Sequence, residues 1–294
     1  LNTMKDPFKT TGLIFLLLVG LCACRTRHPQ KPVISVSILP QKYFAERIAK
    51  DFAEINVMIP PGMNPATCDL SSGQLKKLYD SDICFAVGYL PFETTHLYPV
   101  LKNKPEVLLV SHSDGLELLD GSCGHSHAHS HESVDPHIWL SPAYAKHICH
   151  QMAETLSRKY PDKKEFFKAN YRELEKDIDI FAQEAEKILM TKKNKSFLIY
   201  HPALTYFAHD YGMEQISIED EGKEPNPTHL KNLIDEARSK SISIVFIQKQ
   251  FDIQNAEAIA RSTNSKVVPI DPLNENWLEE MHHLLQVFKE NLSE

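Results

Sequence analysis

KKEFFKANYRELEKDIDIFAQEAEKILMTK, residues 163–192, is the stretch on which the reading of this chain turns. It contains no Gly or Pro, and its apolar residues Phe167, Tyr171, Leu174, Ile178, Phe181, Ala185 and Ile188 recur in steps of 4, 3, 4, 3, 4 and 3. That spacing lays one apolar stripe along one long, otherwise charged helix. Its thirty residues, at ~1.5 Å each, reach ~45 Å, enough to run along two lobes. A coiled-coil partner would also cover such a stripe, but a single stripe in a two-lobed chain packs on its own lobes.

On both sides of this helix, apolar runs of strand length alternate with amphipathic segments. The strand candidates before it are Val33 to Leu39, Ile55 to Ile59, Ile83 to Val87 and Val107 to Val110. Those after it are Phe197 to Tyr200, Gln215 to Ile218, Ile242 to Ile247 and Val267 to Ile270. Helix candidates between them are Gln41 to Phe52, Ser72 to Tyr79, Thr228 to Ser239 and Ile253 to Ser262. The alternation predicts an α/β protein of two lobes, each a four-stranded parallel sheet with flanking helices, joined by the long helix. The expected division is a signal peptide at 1–23, a tether at 24–31, an N-terminal lobe at 32–160, a linking helix at 161–193 and a C-terminal lobe at 194–294.

The amino end reads as an export signal. Lys5 and Lys9 precede the apolar run Leu13 to Leu21, which is too short to span a bilayer comfortably. Leu21-Cys22-Ala23-Cys24 resembles a bacterial lipobox, so lipidation is expected at Cys24, with Cys22 as the alternative acceptor. The remainder is then an exported body held to a membrane by lipid, facing the periplasm or the cell exterior. With 42% hydrophobic and 24% charged residues, the chain can bury a large core. A net charge of -7 with no basic block argues against nucleic acid. Cys68, Cys84, Cys123 and Cys149 allow three full disulfide pairings, and spacing does not choose among them. Cys84 and Cys149 lie among apolar neighbours and read as small buried hydrophobes.

Metal chemistry is written most densely at 121–134, where His125, His127, His129 and His131 alternate with small polar residues. Imidazole is the commonest metal ligand, and these four have no apolar face to bury. Open parallel sheets bind ligands at the carboxyl ends of their strands. There the chain carries Pro60 to Asp69, the loop ending in His137, His201-Pro202 and Asp271-Pro272. Two imidazoles and a carboxylate are thus expected to converge from both lobes.

At these positions the chain resembles the metal-binding lipoproteins that serve ABC importers of zinc and manganese, a class built from two lobes joined by a long helix. The resemblance rests on Asp135-Pro136-His137-Ile138-Trp139-Leu140-Ser141-Pro142, Tyr200-His201-Pro202-Ala203 with Phe207 to Gly212, Gly222-Lys223-Glu224-Pro225, and Val268-Pro269-Ile270-Asp271-Pro272-Leu273. It implies that His137, His201 and Asp271 match three of the family's four metal ligands, and that the His-rich loop is a short version of that in zinc-handling members. The family's remaining His follows a Gly-x-x-Pro turn, whereas here Gly62-Met63-Asn64-Pro65 is followed by Ala66. Water, Cys68, Asp69, Glu93, His96 or a loop His can fill that position, and a site that has lost tight binding is the competing expectation.

The resemblance implies a monomeric solute-binding lipoprotein that captures Zn2+, or Mn2+, and delivers it to an ABC permease with its ATPase subunit. Nitrogen donors favour zinc. Two other classes remain. A zinc hydrolase would use three protein ligands plus water, with Glu219, Asp220 or Glu221 as general base, although no His-Glu-x-x-His motif is present. A metal-scavenging surface adhesin would lack the permease.

Overall fold

Every expected strand forms, and each lobe closes around four of them. The computed structural model describes residues 31–121, 134–220, 222–249, 251 and 253–293. The expectations for the signal, Cys24, and the loop histidines 125, 127, 129 and 131 lie outside the described residues. In the N-terminal lobe β1 (Val33–Val36), β2 (Glu54–Val57), β3 (Ile83–Ala86) and β4 (Leu108–Ser111) are all parallel, in the order β2-β1-β3-β4. In the C-terminal lobe β5 (Ser196–Ile199), β6 (Glu214–Ser217), β7 (Ile244–Gln248) and β8 (Lys266–Ile270) are also all parallel, in the order β6-β5-β7-β8. Parallel strands need crossovers, and helices supply most of them. These are α1 (Leu39–Ala49), α2 (Ser72–Tyr79) and α3 (Tyr98–Leu101) in the first lobe, and α6 (Thr205–Asp210), α7 (Pro227–Ser239) and α8 (Ile253–Thr263) in the second.

The expected long helix is α5 (Lys164–Leu189), flanked by α4 (Pro142–Lys159) and the final helix α9 (Trp277–Asn291). Phe167, Leu174, Ile178, Phe181 and Ala185 are fully buried, so the stripe packs on the chain's own lobes. α5 packs against α1, α4 and α9. The buried set also includes Asn170 and Leu189, in place of the half-buried Tyr171 and Ile188. A straight helix turns every 3.6 residues, and a repeat of alternating fours and threes drifts off its face over this length. Asn170 is satisfied there by donating to the Ile48 carbonyl, 2.9 Å away.

β1 differs from expectation. It stops at Val36 rather than Leu39, because Pro40 sits in the first turn of α1 and the Gln41 side-chain oxygen accepts from the Ser37 and Ile38 N–H groups at 2.9 and 3.2 Å. Those bonds turn the chain out of the strand three residues early and start the helix at Leu39, two residues before the expected Gln41. β4 is an edge strand, and its Leu108 and Leu109 are exposed. One apolar cluster runs from Ile34 through α5 to Leu292 and joins both lobes, with Phe197, Phe246 and Phe288 meeting edge to face. A smaller one, with Leu198, Val245 and Ile259, covers the other face of the C-terminal sheet. Cys68, Cys84 and Cys149 are buried free thiols. No helix among the described residues is long and apolar enough to cross a membrane.

Candidate metal site

The carboxyl ends of the C-terminal strands set out a row of polar side chains. The β5–β6 register pairs Ile199 with Ser217, and two residues further along it brings His201 beside Glu219, whose Oε1 lies 2.8 Å from His201 Nδ1. β7 ends in Gln248, which is buried and clamps the same residue. Its side-chain oxygen accepts from His201 N–H at 3.2 Å, and its amide nitrogen donates to the His201 carbonyl at 2.6 Å. Phe251 stacks on the His201 ring at 5.6 Å. Asp271 follows β8 directly. Its N–H donates to Glu280 Oε1 at 2.8 Å, its Oδ1 accepts from Leu273 N–H at 3.2 Å, and its Oδ2 faces Lys249 Nζ at 3.4 Å.

His137 arrives from the other lobe, on the connection between β4 and α4. An isolated antiparallel bridge between Asp120 and Val134 ties two points within that connection together. Tyr206 on α6 secures it further, its hydroxyl accepting from Leu119 N–H at 3.1 Å and donating to the Asp135 carbonyl at 2.8 Å. Burial pushes that phenol up to about 12. Asp135 Oδ1 meets both the backbone N–H and Nδ1 of His137, each at 2.7 Å. Burial raises the Asp135 carboxyl, but the neighbouring His137 and hydrogen bonds from His137 and Thr205 outweigh it and hold the group below the usual range. Trp139 is buried beside the His137 ring, 5.2 Å between centroids, and its indole N–H donates to the Pro272 carbonyl at 2.8 Å. Trp277 returns the contact by donating to the Trp139 carbonyl at 2.8 Å.

The two imidazoles meet across the lobes, 5.2 Å between ring centroids. An ionised carboxylate only accepts, so each histidine, when neutral, carries its proton on Nδ1 and turns an Nε2 lone pair outward. Metal-binding histidines have this arrangement, with the carboxylate fixing tautomer and orientation. Among the described residues, no group of three or more His, Cys, Asp or Glu stands close enough to hold a metal ion. The conformation thus pairs His137 with His201 and leaves Asp271 on Lys249.

The other sequence candidates lie elsewhere. Glu93 is fully buried. Its Oε1 accepts from the Ser37 hydroxyl at 2.5 Å and Val87 N–H at 2.6 Å, and its Oε2 from Gly88 N–H at 2.7 Å. Burial raises its pKa against those bonds. The carboxylate binds the β3 exit loop together, and Gly88 there is irreplaceable because a Cβ would lie 2.0 Å from the Ser113 hydroxyl. Cys68 is buried, its sulfur lies 3.7 Å from the Asp69 carbonyl, and burial raises its pKa. A buried, protonated thiol is a poor ligand. His96 pairs with Asp69 at 3.3 Å. Ala66 is exposed in a turn where its N–H donates to Asn64 Oδ1 at 2.8 Å. Sequence reading gave Glu219 only the part of a general base and did not single out Gln248 or Lys249. Aligning the residues just past neighbouring parallel strands would have found all three.

The chain is 26% identical to the zinc-binding lipoprotein AdcA of Streptococcus pneumoniae serotype 4 over 94% of its own length, and spans 60% of that protein. A crystal structure of ZnuA, 31% identical, superposes with a TM-score of 0.81 over 89% of this chain and 99% of that one. A zinc-bound ZnuA deletion mutant, also 31% identical, gives 0.82 over 90% and 99%. The laminin-binding adhesin Lmb of Streptococcus agalactiae, at 23% identity and a TM-score of 0.78 over 88% and 99%, shares the fold. The family described as zinc-uptake complex component A, periplasmic (ZnuA) matches residues 34–293, and the chain belongs to it.

Proposed function

We propose that this protein captures Zn2+ between its lobes outside the cytoplasm and delivers it to an ABC permease driven by an ATPase subunit. His137 and His201 bind through Nε2 and Asp271 through a carboxylate oxygen. With Ala66 where the family has a histidine, water takes the fourth position. Lipid on Cys24 holds the protein at the membrane, and the His-rich loop collects metal. The observation that carries this reading is the pair of imidazoles, 5.2 Å apart, each with Nδ1 committed to its own carboxylate. Two nitrogen donors favour zinc over manganese.

The same geometry speaks against a hydrolase. Glu219, the nearest candidate base, is spent on His201 Nδ1 rather than free to take a proton from water. The zinc-binding relatives and the zinc-bound structure support capture as the role. Competition titration with a chromophoric chelator tests the reading. The protein binds one zinc tightly, and His201→Ala weakens binding by more than about a hundredfold, beyond what an outer carboxylate contributes. Weak binding that His201→Ala leaves unchanged would rule the cleft site out.

A further inference from the structure

The register of the C-terminal sheet places a cation against the carboxylate that the proposed function needs. β7 and β8 pair Gln248 with Ile270, so residues 249 and 271 leave the two strand ends side by side. Lys249 Nζ lies 3.4 Å from Asp271 Oδ2. Both backbones are fixed close to that contact, one by the Gln248 clamp on His201 and the other by Glu280 on the Asp271 N–H. Asp271 Oδ1 already accepts from Leu273. Oδ2, the oxygen in the ion pair, is not engaged by that backbone bond and is the freer of the two to reach a metal.

A divalent cation and an ammonium group repel when they share one carboxylate oxygen. Lys249 is 65% exposed and Asp271 21%. The lysine can swing into water without leaving a buried pocket, and an exposed pair of this kind is held weakly. Zinc can displace it, and it can return.

We propose that Lys249 is a built-in competitor for the metal. Its ammonium group holds Asp271 Oδ2 in the metal-free protein, is displaced when zinc enters and retakes the oxygen as zinc leaves, which lowers affinity and eases release of the cargo. The inference rests on Asp271 being a ligand, as proposed above. No atom is transferred; one cation exchanges for another on a single oxygen.

Zinc titrations of wild type, Lys249→Met, Lys249→Arg and His201→Ala test it, together with the 13Cε resonance of Lys249, assigned by its absence in Lys249→Met. The methionine keeps a stem of similar length without the charge. It is expected to tighten zinc binding about tenfold and to slow transfer to a chelator, while arginine stays within about twofold of wild type. The lysine resonance shifts when zinc is added to wild type and not when it is added to His201→Ala. Unchanged or weaker binding in Lys249→Met overturns the proposal even where wild type binds tightly. Equal tightening by arginine also overturns it, because charge would not be the cause. If wild type binds weakly and His201→Ala does not alter that, the metal site itself fails.

Discussion

His201 in the cleft and His112 in the N-terminal core both lie just past the end of a parallel strand, yet opposite nitrogens carry their protons. The difference comes from the partner of Nδ1. In the cleft, His137 and His201 each offer Nδ1 to a carboxylate, which puts the proton there and leaves Nε2 as a lone pair. His112 is fully buried, stacked on Phe85 at 5.2 Å, with Nδ1 2.8 Å from the Gln41 amide nitrogen. The Gln41 oxygen is occupied by two backbone N–H groups, so its nitrogen must donate. That forces the His112 proton onto Nε2. A carboxylate thus prepares an imidazole for metal, whereas a fixed amide makes it a neutral part of the core.

Removing the cleft carboxylates tests this contrast most strongly. Asp135→Asn and Glu219→Gln keep the size of each partner but remove its charge, and amide nitrogen can present itself to the imidazole as the carboxylate never does. Each substitution is expected to lower zinc affinity about ten- to a hundredfold, read by the same competition titration. Affinity within about twofold of wild type in both variants would show that the carboxylates do not set the donor nitrogen.

His112 supplies the other arm, through pH. Burial, with a smaller contribution from nearby His147, pushes it down to about 3 from an ordinary 6.5. Between those values the unfolded chain takes up a proton that the folded chain refuses. Stability is therefore lost as pH falls below 6.5, by about 2 kcal/mol at pH 5. Urea unfolding at pH 7 and pH 5 measures it. In His112→Gln, where an amide oxygen can still accept from Gln41, the drop between the two pH values should be smaller by about 2 kcal/mol. An equal drop in both proteins would mean that His112 is not held neutral.

The parts of this molecule visible in its sequence are those encoded by neighbours along the chain. The α5 stripe and the eight strands show themselves as local patterns of apolar residues, and the structure has all of them. Their ends moved where a side chain from outside the pattern intervened, as Gln41 does at the start of α1. His201 and Asp271 were legible as residues following strands, and Asp135 stands two positions from the imidazole it holds. Glu219 is 18 residues from His201 and Gln248 is 47, and only the parallel registers bring them together. Glu93 and Cys68 show the converse. Their residue types suit a metal, but burial has committed one to backbone N–H groups and raised the pKa of the other's thiol.

Trp139 separates the two means of holding an imidazole. Its ring lies beside His137 as Phe85 lies beside His112, while its N–H ties the His137 loop to the Pro272 carbonyl of the other lobe. Trp139→Phe preserves an aromatic face and deletes that donor, leaving the carbonyl it served without its indole partner. Stability should fall by about 1 kcal/mol, seen as a lower denaturant midpoint with an unchanged slope. Zinc affinity should fall less than in Asp135→Asn, because His137 keeps its carboxylate and with it the lone pair on Nε2. If the two variants lost zinc equally, the indole tie to Pro272 would matter to the cleft histidine as much as its carboxylate does. The contrast with His112 would then lie in how the loop is anchored across the lobes as well as in the partner of Nδ1.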